Sequence, residues 1–388
     1  MKQLARDVMI AVLGVVLLLG SGCGGEEADP GSYAEMLRFV PDEASYRYRV
    51  TIVDTEGLRA LPLTADAPTD PTAIERLLWA SEYYTGGLAV PLGSLERTSW
   101  PEIAENWELG FGFTLDQVDR ELSFRGPTVA GQPPGLTEIW LAVGDFDDEA
   151  VEGRLASCGE CEPHEASEHE GWTILSWPEG INLDPALRFA PPMRGNLGQG
   201  GSITITDKRI VRADSLVMLT AALDARERDR AEPGEDAFQA LAEALEPMSL
   251  LVVLFSEFRF GPEVSVGYAQ PIPGASPKEN EERQRWDPPA SEVRLRPYIA
   301  YALGGGVEGV KPVMTLALLH DSEADAAANV ERLGERLETT TTYDGVAWSE
   351  LFTSWSIVAE GRVVVATLEG MPRWQIAGAG ADPLLLHE

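Results

Sequence analysis

Two stretches of this chain run through the same order of elements, and that repetition limits the folds open to it more than any other feature. In the first, residues 139–143 read as a strand and residues 145–155 as a helix with an acidic start. Residues 171–177 then read as a strand, and 202–206 with 209–213 as a hairpin around Asp207-Lys208. In the second, residues 314–319 read as a strand, 322–337 as an Ala-rich helix, 345–351 as a strand, and 354–359 with 363–368 as a hairpin turning at Glu360-Gly361. The echo extends to single residues: Leu141-Ala142-Val143 with Asp145 matches Leu316-Ala317-Leu318 with Asp321, and Gly171-Trp172 near Trp177 matches Gly345 near Trp348. This predicts a diverged duplication of a β-α-β-β unit. Helices that return to hairpins, without a long regular alternation of strand and helix, predict an α+β fold of mostly antiparallel sheets covered by helices on one face.

Around these units, residues 46–53 mix aromatic and β-branched residues as a half-buried strand does. Ile74, Leu77, Leu78 and Ser81 share one side of a predicted helix over 73–84, and a further helix is expected from Thr114, with Gln117 closing a capping box. Residues 236–245 read as a helix and 250–255 as a buried strand. Residues 271–289 hold six Pro or Gly and a charged run at 278–283. The expected organisation is therefore a first α+β domain at 33–270, a Pro-rich linker or loop at 271–296, and a second α+β unit at 297–388 packed on the first.

The N-terminus carries an address. Lys2 and Arg6 precede an apolar run at 8–20, the build of a secretory signal and short of the ~20 residues a membrane-spanning helix needs. The run ends in Gly20-Ser21-Gly22-Cys23. This resembles the bacterial lipobox, with Gly20 standing where the family favours leucine, and the overall pattern resembles repeat-containing bacterial lipoproteins. The resemblance implies a signal peptide over 1–22, acylation of Cys23 with palmitate-type chains, a tether over 23–32 and membrane attachment through the N-terminal lipid. Gly24, rather than Asp, after the cysteine implies the outer membrane. The plainer alternative is an ordinary secretory signal with an incidental cysteine.

Charge narrows the partners. Asp and Glu number 63 against 30 Lys and Arg, a formal net charge of -33, and such a field repels nucleic acid and anionic headgroups. With 388 residues and 44% hydrophobic composition, the chain can still bury a substantial core.

The most pointed chemical cluster is Cys158, Cys161, His164 and His169. Thiolates and imidazoles are zinc ligands, but two residues between the cysteine and histidine pairs is a short span for one tetrahedral ion. Outside the cytoplasm a loop-tightening disulfide between Cys158 and Cys161 is the preferred reading, ahead of zinc. Redox catalysis ranks lower still, because these thiols follow a helix C-terminus amid Glu160, Glu162 and Glu165, which disfavours thiolate. His320 beside Asp321 and Ser322 reads as a strand end followed by a helix cap rather than a catalytic pair, and His387 as a surface tail position. The glycine runs 195–201 and 304–306 lack a phosphate-binding context and read as loops. No resident cofactor is expected. The function expected is a non-enzymatic binding or structural role toward an envelope protein or ligand. The alternative is an envelope hydrolase or metal-dependent protein built on Cys158, Cys161, His164 and His169.

Overall fold

A computed structural model describes residues 29–64, 67, 73–85, 112–127, 138–157, 165–177, 201–206, 208–228, 236–258, 293–309, 311–342, 346–370, 383–385 and 387–388. Contacts divide the chain after Pro30, and the fold described is that of the unit Gly31–Glu388. Its strands are β1 (Val50–Asp54), β2 (Val118–Arg125), β3 (Glu138–Gly144), β4 (Glu165–His169), β5 (Trp172–Trp177), β6 (Gly201–Thr206), β7 (Arg209–Ala213), β8 (Leu250–Ser256), β9 (Ala300–Glu308), β10 (Lys311–Leu319), β11 (Ser354–Glu360) and β12 (Val363–Glu369). Its helices among the described residues are α1 (Tyr33–Leu37), α2 (Thr55–Ala60), α3 (Ala73–Thr85), α4 (Asp148–Ser157), α5 (Leu216–Glu227), α6 (Ala237–Leu245), α7 (Glu323–Thr339) and α8 (Trp348–Leu351).

The twelve strands among the described residues join one sheet in the order β11-β12-β10-β9-β8-β1-β2-β3-β7-β6-β5-β4, and every neighbouring pair is antiparallel. The fold is thus α+β with a large antiparallel sheet. β8 and β9, which flank the stretch 271–296 in the chain, are hydrogen-bonded neighbours in that sheet.

The expected covering of one face is corrected: helices pack on both. On one face Leu58 of α2, Leu77 of α3, Val151 of α4, Leu333 of α7 and Trp348 of α8 meet Trp140, Tyr301, Leu316 and Ala366 of the strands. On the other, Met36 of α1, Leu219 of α5 and Phe238 of α6 meet Ile52, Leu122, Leu141 and Val365. The reason is legible in β8, Leu-Leu-Val-Val-Leu-Phe-Ser, in which all seven residues are buried. A strand with no polar alternation has no face to give to water.

Several local expectations change in the same way. The helix expected from Thr114 is one 3-10 turn, Leu115–Gln117, although the Thr114 amide does donate to Gln117 Oε1 at 2.8 Å. The strand expected at 345–351 is instead the short helix α8, whose Trp348 stacks on Phe352 at 6.1 Å. The glycines at 304–306 lie in β9 and not in a loop. A Cβ at Gly304 would stand 2.6 Å from Leu250 Cδ1, so the bare strand lets Leu250 of β8 lie across it. Of the run 195–201, only Gly201, the first residue of β6, falls among the described residues.

From the central pair β1 and β8 the sheet reads outward as β1-β2-β3-β7-β6 on one side and β8-β9-β10-β12-β11 on the other, with the β4–β5 hairpin added at one edge. The third strand of each half ends in the same bond. The Gly144 amide donates to the Lys208 carbonyl at 3.1 Å, and the His320 amide to the Arg362 carbonyl at 2.9 Å, each at the last turn residue of a hairpin.

Candidate functional site

His169 is the one residue of the sequence-selected cluster that falls among the described residues; Cys23, Cys158, Cys161 and His164 lie outside them. It closes β4, paired with Trp172 across a turn in which Glu170 and Gly171 both adopt positive φ, 47° and 86°. Paired residues of an antiparallel ladder share a face. That places His169 with Trp172 on the side covered by α5, where the His169 Nε2 lies 2.7 Å from Asp224 Oδ1. Two residues along α5, the Arg226 guanidinium stands 5.4 Å from the Trp172 ring and 5.8 Å from the Phe39 ring. Those two rings meet edge to face at 6.4 Å, and Arg38 Nη2 donates to the Arg226 carbonyl at 3.0 Å.

A carboxylate holding one imidazole nitrogen fixes the ring's orientation and leaves Nδ1 as the nitrogen that can exchange a proton or meet an ion. Asp224 would then be the carboxylate behind a ligating histidine rather than a ligand itself. Among the described residues, no three His, Cys, Asp or Glu are grouped to hold a metal ion. Sequence reasoning singled out His169 and missed Asp224, Arg226 and Phe39. Asp224 lies 55 residues away in the chain, and no local pattern links a strand-end histidine to a helix that arrives later.

His320 is fully buried. Its Nε2 stands 2.7 Å from Asn329 Nδ2 and its Nδ1 lies 3.2 Å from the Arg362 carbonyl. Since the amide nitrogen can only donate and the carbonyl can only accept, the network assigns the neutral ring with its proton on Nδ1. Asn329 is also saturated: Nδ2 donates to the Arg296 carbonyl at 3.0 Å and Oδ1 accepts from the Arg296 amide at 2.6 Å. The histidine therefore fastens the β11–β12 turn, α7 and the 294–296 segment together. Beside it, Ser322 caps α7 by accepting from the Asp325 amide at 3.1 Å.

Burial holds the His320 pKa below its ordinary value, against the opposing pull of the Arg362 carbonyl and Asp325. A depressed histidine pKa means the unfolded chain binds the proton first. The associated stability is complete above the unfolded value of 6.5 and is lost as pH falls below it toward the folded value. We expect the denaturation midpoint to drop as the pH falls below 6.5, where the unfolded chain takes up the proton before the folded one. His320→Gln, which keeps an acceptor for Asn329, should flatten that part of the profile. An unchanged profile in the variant would remove His320 as its source.

His387 is buried, which corrects its placement on a surface tail. Its ring meets Tyr298 edge-on at 5.2 Å, and the tail around it is pinned. Tyr298 OH donates to the Leu385 carbonyl at 3.0 Å, Arg336 Nε to the Leu384 carbonyl at 3.1 Å, and Arg296 and Arg332 hold the Glu388 carboxylate at 2.8 and 2.6 Å. Among the described residues, no helix is long and apolar enough to cross a membrane.

No family model matches the chain, and no curated protein does. Among solved structures, crystal form I of TP0453 is similar at 10% identity over 89% of this chain and 93% of that one, with a TM-score of 0.35. Crystal form III is similar at 10% identity over 86% and 93%, with a TM-score of 0.34. Likeness at that level carries no argument about this chain.

Proposed function

We propose that this protein is a lipid-anchored lipoprotein of the bacterial envelope, more specifically of the outer membrane, that serves as a non-enzymatic docking or structural module. The observation that carries the reading is Gly20-Ser21-Gly22-Cys23 at the end of the apolar run 8–20, which resembles the lipobox at which such cysteines are acylated. Support for docking over catalysis comes from two of the described histidines. His320 is held by Asn329 and Arg362 and His387 lies against the C-terminal segment, so both brace the fold.

The docking domain we read as a diverged duplication centred on β1 and β8. What supports this is the matched outward order of the two halves, the equivalent places of α4 and α7 after β3 and β10, and the equivalent amide bonds at Gly144 and His320. Antiparallel pairing of β1 with β8 is what a local two-fold between such halves would require.

The test is metabolic labelling with palmitate followed by envelope fractionation. The intact protein should take up label and sediment with membranes, and Cys23→Ala should lose both properties, because removal of the acyl chains removes the anchor. Uptake of label by Cys23→Ala would sink the assignment. Stoichiometric zinc in the purified protein, lost on Cys161→Ser, would favour a metal-dependent protein instead.

A further inference from the structure

The two ends of the sheet are unlike. β4, at one end, is the sequence Glu-Ala-Ser-Glu-His. β11, at the other, runs from Ser354 to Ala359 without a charge before reaching Glu360, and it includes Trp355, Ile357 and Val358. A charge-free, β-branched edge is what folded proteins ordinarily avoid leaving open.

Register shows which groups that edge presents. Glu360 pairs with Val363 across the two-residue turn Gly361-Arg362, and the pair flanking such a turn is hydrogen-bonded. Alternation then bonds Val358 to Val365 and Ser356 to Thr367, and turns the amides and carbonyls of Trp355, Ile357 and Ala359 outward. The Val358 side chain, 47% exposed, lies on the opposite face of the strand from these three.

Above the strand lies α7. A Cβ on Gly334 would be 3.8 Å from Ile357 Cδ1, so the Gly334 side of the helix faces β11. Glu331 and Glu338 lie three before and four after Gly334, on that same side, with Glu335 beside them; all three are exposed. The arginines of the helix point elsewhere: Arg332 holds Glu388, and Arg336 binds the Leu384 and Val293 carbonyls. Among the described residues none of Glu331, Glu335, Glu338 and Glu360 takes part in an ion pair, whereas Glu369 is neutralised by Lys311 at 2.5 Å. The later turns of the helix are thus divided, with Arg332 and Arg336 turned to the 293–294 and C-terminal segments and Glu331, Glu335 and Glu338 on the β11 side.

We propose that the outer edge of β11 and the carboxylate row of α7 together form a docking site for an extended, lysine- or arginine-rich segment of a partner protein, which adds to the sheet as a further antiparallel or parallel strand. The backbone groups of Trp355, Ile357 and Ala359 supply the hydrogen bonds, and Glu331, Glu335 and Glu338 meet every second side chain of the incoming segment. A second copy of this chain fits poorly, since it would bring a net charge of -33 against another -33. The inference rests on the docking role proposed above and names its partner chemistry.

The probe is a synthetic peptide of alternating lysine and valine, titrated against the full chain in detergent, with a glutamate-valine peptide as the comparison. The lysine peptide should bind, more weakly as salt rises, and the glutamate peptide should not. Ala359→Pro removes an outward amide that β12 does not use, so it spares the fold while blocking strand addition. It should weaken binding by about tenfold or more. Ala166→Pro, at the exposed β4 edge, should leave binding unchanged. Glu331→Gln with Glu338→Gln should weaken it by about fivefold at low salt.

Absence of binding to the lysine peptide, or equal binding by a folded Ala359→Pro variant, would overturn the site. Should Ala359→Pro fail to fold, amide exchange in the unaltered chain decides. Peptide-dependent protection at Trp355, Ile357 and Ala359 supports the site, and unchanged exchange there overturns it. Photocrosslinking in native envelopes separates the two levels of the argument. A partner captured from Val217 on α5 and not from Val358 leaves the docking role standing and removes this edge as its site.

Discussion

Gly144→Ala should destabilise the protein by about 3 kcal/mol or more, well above the ~1 kcal/mol centre of ordinary point substitutions. A Cβ at this position would stand 1.9 Å from the Gln117 carbonyl oxygen and 3.0 Å from the Phe146 ring. The carbonyl cannot simply withdraw. It accepts the Asp145 amide at 3.2 Å, Gln117 Nε2 donates back to the Asp145 carbonyl at 3.1 Å, and Phe146 packs on Phe113 with centroids 4.9 Å apart. Relief requires the 115–117 turn to leave β3, opening the corner where β2, β3 and α4 meet. Denaturant titration of the variant should give a lower midpoint. A midpoint within ~0.5 kcal/mol of the original would show that the corner yields without cost.

Arg47→Ala should cost about 3 kcal/mol, through the carboxylates it leaves behind more than through any contact of its own. The side chain is 5% exposed and its Nη1 and Nη2 each lie 2.8 Å from an oxygen of Asp236, a two-pronged pair. Its Nε is 2.7 Å from Glu257 and its Nη1 is 3.2 Å from Asp42. The guanidinium also covers the Phe238 ring at 4.2 Å. Asp236 is simultaneously the N-cap of α6, accepting the Phe238 and Gln239 amides. One arginine therefore binds the 42–47 loop, the start of α6 and the residue after β8. Lysine cannot reproduce the planar fork, so Arg47→Lys should recover only part of the loss. Equal stability of the alanine variant and the parent by thermal unfolding would contradict this account.

The same two sites show how far a reading of the residues reaches. The helices over 73–85, 237–245 and 323–339 and the strand over 250–256 are legible because their signals are local: apolar spacing, an Asp236 or Ser322 cap, an unbroken apolar run. β2 is not legible. Its Val-Asp-Arg-Glu-Leu-Ser-Phe-Arg carries four charged residues and follows the helix expected from Thr114, yet Glu121 is buried, where it accepts the Trp140 indole N–H at 2.8 Å. A charged residue becomes a strand interior position when a neighbouring strand brings it a donor, and nothing near residue 121 in the chain announces Trp140. The glycines of β9 are misread for the same reason, because what makes them strand residues is Leu250 of the adjacent β8.

The candidate sites divide along this line. The apolar run and the cysteine at its end can be read without any partner, since the lipobox they resemble is a linear signal. His169 was chosen for its neighbours in the chain, Cys158, Cys161 and His164, which lie outside the described residues, whereas the Asp224 carboxylate that the structure sets against it comes from a distant helix. The acid row of α7 is visible as Glu331, Glu335 and Glu338, but its meaning depends on β11 lying beneath it as the last strand of the sheet.

By itself, then, the sequence determined the acidity of the chain and, because their signals lie within about two turns, the helices over 73–85, 237–245 and 323–339 and the fully buried strand over 250–256. Only the tertiary structure decided which strands are neighbours, that both faces of the sheet are covered, and that β11 and β4 are its end strands among the described residues. Those outcomes follow from long-range burial, in which Val50 pairs with Phe255 on one side and Phe124 on the other, and no local pattern encodes such a choice.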